Sequence, residues 1–277
     1  MKIAAIGDPH GNLEKIRSIR LEKVDLALLT GDLGQTDNLR KLAYEFLNIK
    51  RPGPQDRSSY AAGFKKAFLQ SHQTALRLTG YIAGFCPVYV VRGNADISNY
   101  DTRKFARTFG IELPYLYQDL LKINGLRLID NRLAVFRGVR IGGIKYFTDI
   151  SWTREFELNG LPKIRERALR DTQNANRVLD RFGKLDILVT HVPPYGVLDR
   201  VESRTIPPSW VGRHAGSRAI LEYIRRQQPG YVFCGHIHES EGYQKVGRSQ
   251  VYNLGAGGYR IIELEPAGYS NSFVGWS

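Results

Sequence analysis

The chain has 277 residues, 42% of them hydrophobic, with a formal charge of +13 and two cysteines. That length buries a full α/β core without disulfide staples, and Cys86 and Cys234, which lack C-x-x-C spacing, read as buried reduced thiols of a cytoplasmic protein. No apolar run approaches the ~20 residues of a membrane span, and an N-terminal strand of about six residues leaves no room for a signal peptide, so the expectation excludes membrane and secreted classes.

In chain order, the pattern predicts a strand over 2–7, a helix over 12–22 and a strand over 24–30. Leu39, Leu42, Ala43, Phe46 and Leu47 then recur at helical spacing as far as Asn48. A Pro-, Gly- and Ser-rich loop over 51–59 precedes a second helix over 59–84 with Phe64, Ala67, Phe68, Ala75, Leu78 and Ile82 as its apolar stripe. Together they form a helical insertion around 35–86 in a single domain spanning 1–277. His72, alone on that helix, reads as a satisfied or solvent-facing histidine outside any site. From Leu121 the runs shorten to 121–123, 126–129, 133–136, 139–144 and 145–147, divided by Asn-Gly, Asp-Asn and Arg-Gly turns, and predict a second sheet packed on the first.

A long amphipathic helix follows. Ile164, Ala168, Leu169, Ala175, Val178, Leu179 and Phe182 mark its buried side, and Arg165, Arg167, Arg170, Arg177 and Arg181 mark a solvated face. A strand to His191, a Pro-rich loop over 192–212, a helix over 216–227, a strand to His236 and short strands within 243–264 and over 271–275 complete the chain. The basic residues concentrate at 137–140, 154–181 and 213–226 and form no polybasic tail. The charge therefore reads first as a rim steering a small phosphorylated, nucleotide-like substrate, with a nucleic-acid partner second. Nothing in the pattern specifies an assembly state.

The side chains that seek metals cluster in five pieces: Asp8-Pro9-His10, Gly31-Asp32, Gly93-Asn94, Thr190-His191 and Gly235-His236-Ile237-His238. Each follows an apolar run that reads as a strand. Strands ending on one edge of a sheet bring such residues together from distant positions. Asp8 and His10 alternate around Pro9, so both reach one ion only if the chain leaves strand geometry there, which Gly7 and Gly11 permit. A carboxylate between two dications can bridge them while imidazoles and an Asn amide oxygen fill the remaining positions, an arrangement that activates water for in-line phosphoester hydrolysis.

These five motifs, in this order, resemble those of the calcineurin-like metallophosphoesterases, whose signature is D-x-H, G-D, G-N-H-D/E, a lone H and G-H-x-H. The likeness runs from Asp8 to about Gly255. T-H-x-P-P-x-G-x-x-D over 190–199 and G-H-I-H-E over 235–239 look most like a phosphodiesterase-like subgroup. The resemblance implies a four-layer α/β/β/α sandwich of two mixed β-sheets flanked by helices. It also implies one ion held by Asp8, His10, Asp32 and His238 and a second by Asp32, Asn94, His191 and His236, with Asp32 shared and a metal-bridging hydroxide as nucleophile. Manganese is the favoured ion, and Fe, Zn, Ni or Co suit the same donors.

One position departs from that signature. Where the family commonly has a histidine that assists the leaving group, this chain has Ala95, within Gly93-Asn94-Ala95-Asp96. Loss of that proton donor favours diesters over monoesters, and His214 is the candidate replacement beside the catalytic pair Asp32 and Asn94. Asp96 is expected to support Asn94 or a ligating histidine, and Arg92, Tyr195 and Trp210 are candidate substrate contacts. Two other readings are a protein-binding scaffold with a silent metal site and a metal-dependent nuclease.

Overall fold

The computed structural model describes residues 1–156, 161–202 and 207–264. Two sheets form its centre. The first, in the order β11-β1-β2-β3-β4, consists of β1 (Lys2–Ile6), β2 (Leu26–Leu29), β3 (Val88–Val90) and β4 (Leu126–Leu128), all parallel, with β11 (Tyr259–Glu263) antiparallel on the edge. The second, in the order β5-β6-β7-β8-β10-β9, has a parallel centre of β6 (Val139–Ile144), β7 (Ile187–Thr190), β8 (Tyr231–Cys234) and β10 (Ser249–Asn253). Antiparallel β5 (Arg132–Phe136) and β9 (Gly242–Val246) close its edges.

Strand alternation builds the layers. Ile3, Ala5, Leu26 and Leu28 point to one face and meet Ile141, Ile187, Val189 and Phe233 of the second sheet. Ala4, Ile6, Ala27 and Leu29 point to the other face, where Ile16, Ala75, Leu78, Ile82 and Leu120 cover them. On the far side of the second sheet, Leu188, Val232 and Val251 lie beneath Val178, Leu179, Phe182, Ile220 and Ile224. The result is the expected four-layer α/β/β/α sandwich of two mixed sheets. Strands covered on both faces are apolar throughout, which is why β1, β2, β7 and β8 were legible as unbroken runs.

Between β2 and β3 lie α2 (Asp37–Leu47) and α3 (Pro54–Ala83), after the short α1 (Leu13–Arg17). The expected helix over 12–22 is broken, because it ends at a Ser18 cap and Leu21–Lys23 forms a separate 3-10 turn that buries Leu21. α3 starts five residues before the predicted position. Pro54 opens it without losing a needed N–H, and the Gly53 N–H donates to Asp56 Oδ2 at 2.7 Å. The Pro- and Gly-rich segment is thus a helix start more than a loop. His72 is buried and pairs with Asp119 at 3.0 Å, so it is a satisfied histidine.

After β3 come α4 (Asn99–Phe109) and α5 (Leu116–Leu120). Residues 121–123, expected as a strand, form the turn after α5, and 145–147, also expected as a strand, lie beyond the end of β6. The run at 126–129 forms β4 but joins the first sheet, not the second, because Val88↔Leu126 and Val90↔Leu128 pair in parallel. α6 (Ile150–Glu155) docks on α7 (Pro162–Phe182) through buried Thr172, whose Oγ1 accepts the Ile150 N–H and donates to the Ala168 carbonyl. Thr172 therefore takes a place on the buried side of α7, while Ile164 and Leu169, expected there, are 39% and 46% exposed. α8 (Arg218–Gln227) precedes β8. The strand expected over 271–275 lies outside the described residues.

Candidate metal centre

All five motifs stand at the carboxyl ends of β1, β2, β3, β7 and β8, on one edge of the sandwich. The backbone leaves strand geometry there: His10, Asp32 and His236 have φ of 44°, 50° and 70°, left-handed values that Asp and His tolerate better than most residues. The turn inferred at Pro9-His10 is present. Each such residue stores roughly 1–3 kcal/mol of strain, which surrounding contacts must hold.

Asp8 is fully buried. Its Oδ1 accepts from the Thr30 hydroxyl at 2.8 Å, and its Oδ2 from the His236 N–H at 2.6 Å and from His238 Nε2 at 3.1 Å. His10 Nε2 lies 3.3 Å from His238 Nε2, so Asp8, His10 and His238 offer donor atoms within 4.8 Å of one another. A second set forms around Asn94 Oδ1, which lies 2.8 Å from His191 Nε2 and 2.9 Å from His236 Nδ1. The His191 Nδ1–H donates to the Thr30 carbonyl at 2.8 Å, which fixes the tautomer and leaves Nε2 free to ligate. Asp32 Oδ1 is 3.7 Å from that Nε2, and Asp8, Asp32 and His191 also lie within 4.8 Å of one another. Asp8 is thus the carboxylate close to both sets, while the field of Asp32 acts on His10, His191 and His238.

The electrostatics favour positive charge in the middle of this cluster. Burial pushes the Asp8 pKa up, but His191, His238 and the His236 N–H outweigh it and hold it at about 2. Burial works against a charged His191, yet Asp32 and Asp8 keep its pKa above the usual value, and the hydrogen bond to Asp8 does the same for His238. Desolvation and the neighbouring His191 push His236 down to about 3, leaving it neutral. Ionised carboxylates, a neutral imidazole and an amide oxygen converging on shared points are the donors that divalent ions such as Mn, Fe or Zn take, so the residues fit such ions.

Two glycines make the approach possible. A Cβ on Gly93 would lie 2.1 Å from Asp32 Oδ1 and 2.7 Å from His191 Cε1, and one on Gly235 would lie 2.1 Å from Asp8 Oδ1. Gly235→Ala is therefore expected to displace Asp8 and weaken metal binding by about 10- to 100-fold, measured by titrating metal-stripped protein.

Asp96 supports the site differently from the expectation. Among the described residues no hydrogen bond joins its carboxylate to the Asn94 side chain or to a histidine, although its charge acts on His191. Its carboxylate accepts the backbone N–H groups of Asp32, Leu33 and Gly93 at 2.8, 2.9 and 2.9 Å, tying the second and third motifs together. Ala95 contributes its own N–H to Asp32 Oδ1 at 2.7 Å. Arg92 turns away from the ligands, pairing with Asp130 and lying 4.6 Å over the Tyr117 ring. Trp210 packs on Phe156 at 4.8 Å, and the Tyr195 hydroxyl donates to Glu155, so both anchor the loop.

His214 sits one rung beyond the ligand loop. It bridges to Arg200, whose carbonyl accepts from Ser240 Oγ, two residues after His238. Its Nδ1 lies 2.6 Å from Asp199 Oδ1, and its ring contacts Tyr195. Two residues at the site escaped the sequence reading. Thr30, immediately before Gly31-Asp32, orients both Asp8 and His191. Tyr146, two residues past β6, packs its ring 5.8 Å from His191 and 5.4 Å from His236. The rule that found the other motifs, a position just beyond a strand's carboxyl end, applies to Tyr146 as well.

Comparison with known proteins follows the same pattern. A curated protein from Caenorhabditis elegans, UPF0046 protein K07C11.7, is 30% identical over 117 residues, 42% of this chain and 35% of that protein. The lariat debranching enzyme of Drosophila pseudoobscura pseudoobscura is 25% identical over 264 residues, 86% of this chain and 42% of that enzyme. The chain therefore spans well under half the length of either relative. One solved structure superposes with a TM-score of 0.56 at 18% identity, covering 94% of both chains, which bears on the fold alone. The profile of the calcineurin-like phosphoesterases matches residues 1–240, and the chain belongs to that family of metal-dependent hydrolases.

Proposed function

We propose that this chain is a dinuclear phosphodiesterase, in which two divalent ions held by the five motifs would supply the chemistry for hydrolysing a phosphodiester. The observation that carries the reading is the convergence of seven donors from five separated motifs, with His191 Nε2 and His236 Nδ1 both on Asn94 Oδ1, and His238 Nε2 on Asp8. A binding scaffold has no need of such convergence. In this reading Asp8, His10, Asp32 and His238 would hold one ion, and Asp32, Asn94, His191 and His236 would hold the other, with Asp32 shared. Bound ions supply Lewis acidity toward the phosphoryl oxygens and lower the pKa of water. The Thr30 hydroxyl and the His236 N–H aim Asp8, which His191 and His238 help to keep ionised, and the Thr30 carbonyl, by accepting from Nδ1, turns His191 Nε2 toward Asn94 Oδ1. Manganese is the favoured ion, and the unpaired buried thiols of Cys86 and Cys234 support a cytoplasmic setting.

Ala95 bears on the substrate. Its methyl group donates no proton, so departure of a poor leaving group from a monoester lacks help, and a diester with a better leaving group is favoured. A lariat debranching enzyme among the relatives is in keeping with a diester. In this reading His214 partly substitutes for the missing donor, oriented by Asp199, whose Oδ2 is held by the Gly196 and Gly216 N–H groups at 2.9 Å each. His214→Ala is expected to lower kcat/KM for a diester by roughly 10²-fold, and a change within about twofold would remove His214 from the mechanism.

The function is tested by stripping the protein of metal, reloading it with Mn, Fe, Zn, Ni or Co, and assaying a monoester, a generic diester and cyclic nucleotides. Turnover of a diester above the monoester is the expected result. Absence of turnover with two ions confirmed bound would leave the scaffold reading in its place.

A further inference from the structure

Beside the metal centre lies an open groove of about 660 Å³, within the size range of small-molecule sites. Tyr146 forms the wall between them, since it lines the groove and its ring also contacts His191 and His236. Its backbone is tied to Arg92, the residue before the third motif, by the hydrogen bond from the Tyr146 N–H to the Arg92 carbonyl at 2.7 Å. Lys145, Arg167, Arg177 and Arg181 line the same concavity. Three of these are the arginines of the α7 face that the sequence pattern alone assigns to solvent.

The acids in the groove are already engaged. Asp180 pairs with Arg226, and Asp171 lies 3.8 Å from Arg167. Among the described residues, Lys145, Arg177 and Arg181 have no carboxylate partner, and Arg177 is aimed by its bonds to Asn174 and the Gln173 carbonyl. Unpaired cations in a concave groove with partly apolar walls attract an anion more strongly than the same cations on a convex helix face. A tyrosine ring separates them from the ligands, so one extended anionic molecule can reach both places.

We propose that this groove is a second subsite that holds a further phosphate of a nucleotide-like diester whose scissile phosphate lies at the metal centre. The proposal rests on the phosphodiesterase reading and adds to it the substrate's second anionic group. Guanidinium forks and an ammonium group suit phosphate oxygens, and the volume accommodates a nucleotide-sized arm.

The test uses the triple variant Lys145→Gln, Arg177→Gln, Arg181→Gln, with thermal unfolding to show that the exposed substitutions leave the fold intact. Kinetics compare bis(4-nitrophenyl) phosphate, a dinucleotide with a free 5′-hydroxyl and the same dinucleotide with a 5′-phosphate. Fluorescence anisotropy measures binding of labelled versions of both dinucleotides, and of a longer oligonucleotide, to metal-stripped protein. The variant is expected to raise KM for the 5′-phosphorylated dinucleotide about tenfold or more and to leave the other two substrates within about twofold. Equal effects on all three, or none on the phosphorylated one, would overturn the subsite. If the wild type turns over no diester, the phosphodiesterase reading falls, and anisotropy still decides the groove: binding lost on substitution supports it, and unchanged binding overturns it. Binding of the oligonucleotide more than about tenfold tighter than the phosphorylated dinucleotide would replace a nucleotide-sized subsite with a polynucleotide track.

Discussion

Asp32→Asn is expected to lower kcat/KM for a phosphodiester on the order of 10³-fold, about 4 kcal/mol of transition-state stabilisation, while leaving the fold intact. Asparagine suits the backbone, because φ at this position is 50° and Asn tolerates the left-handed region. Its amide oxygen can still accept the Ala95 N–H that Asp32 Oδ1 accepts at 2.7 Å. What disappears is the negative charge whose field reaches His10, His191 and His238. Metal content by elemental analysis and steady-state kinetics on a diester check this together. The expected outcome is a protein that melts normally, holds fewer ions and turns over slowly. Activity within tenfold of the wild type would mean that Asp32 is not the shared ligand, and would leave Asp8, the carboxylate near both donor sets, in that role.

Asp96→Asn is expected to weaken metal binding about 10- to 100-fold without touching a ligand side chain. The carboxylate receives three backbone N–H groups, and an amide must turn its NH₂ toward at least one of them, which costs roughly 1–3 kcal/mol at a buried site. Two of those N–H groups belong to Asp32 and Gly93, so the strain falls on the second and third motifs. A pH signature accompanies it. Burial, reinforced by Asp32 and opposed by the Gly93 and Leu33 N–H groups, raises the Asp96 pKa from 3.8 to about 7 in the metal-free protein. The native state then binds a proton that the unfolded chain has released. Metal-free wild type therefore loses stability relative to the Asn variant as pH rises from about 4 to 7. Denaturant unfolding of both proteins at the two ends of that window measures the slope, and calorimetric titration measures the metal affinity. A difference between wild type and variant that does not change with pH would show that Asp96 is already ionised without metal.

Much of this architecture was legible beforehand because burial on both faces leaves a plain mark. β1, β2, β7 and β8 are uninterrupted apolar runs, and the motif after each run occupies the predicted edge. Errors fell where the pattern is local but the decision is not. Residues 121–123 and 145–147 have strand-like composition, yet one forms a turn and the other lies past the end of β6. β4 pairs with β3 although its short alternation suits either sheet. Gly53 and Pro54 read as loop formers, and Asp56 converts them into a helix start.

Residue types alone singled out the side chains that meet at the sheet edge, because Asp, His and Asn set just beyond apolar strands form a rare pattern. The sequence also determined the apolar alternation that forces two sheets together. How those side chains are held depends on contacts between elements. Thr30 serves both Asp8 and His191, Asp96 binds backbone instead of ligands, and Gly93 and Gly235 leave room for carboxylate oxygens that lie distant in sequence. The tertiary structure alone turned three arginines of α7 from a solvated face into the wall of a groove beside Tyr146. The physical reason is that residue type and periodicity report burial along one element, whereas hydrogen-bond partners and concavities arise between elements that meet only when the chain has folded.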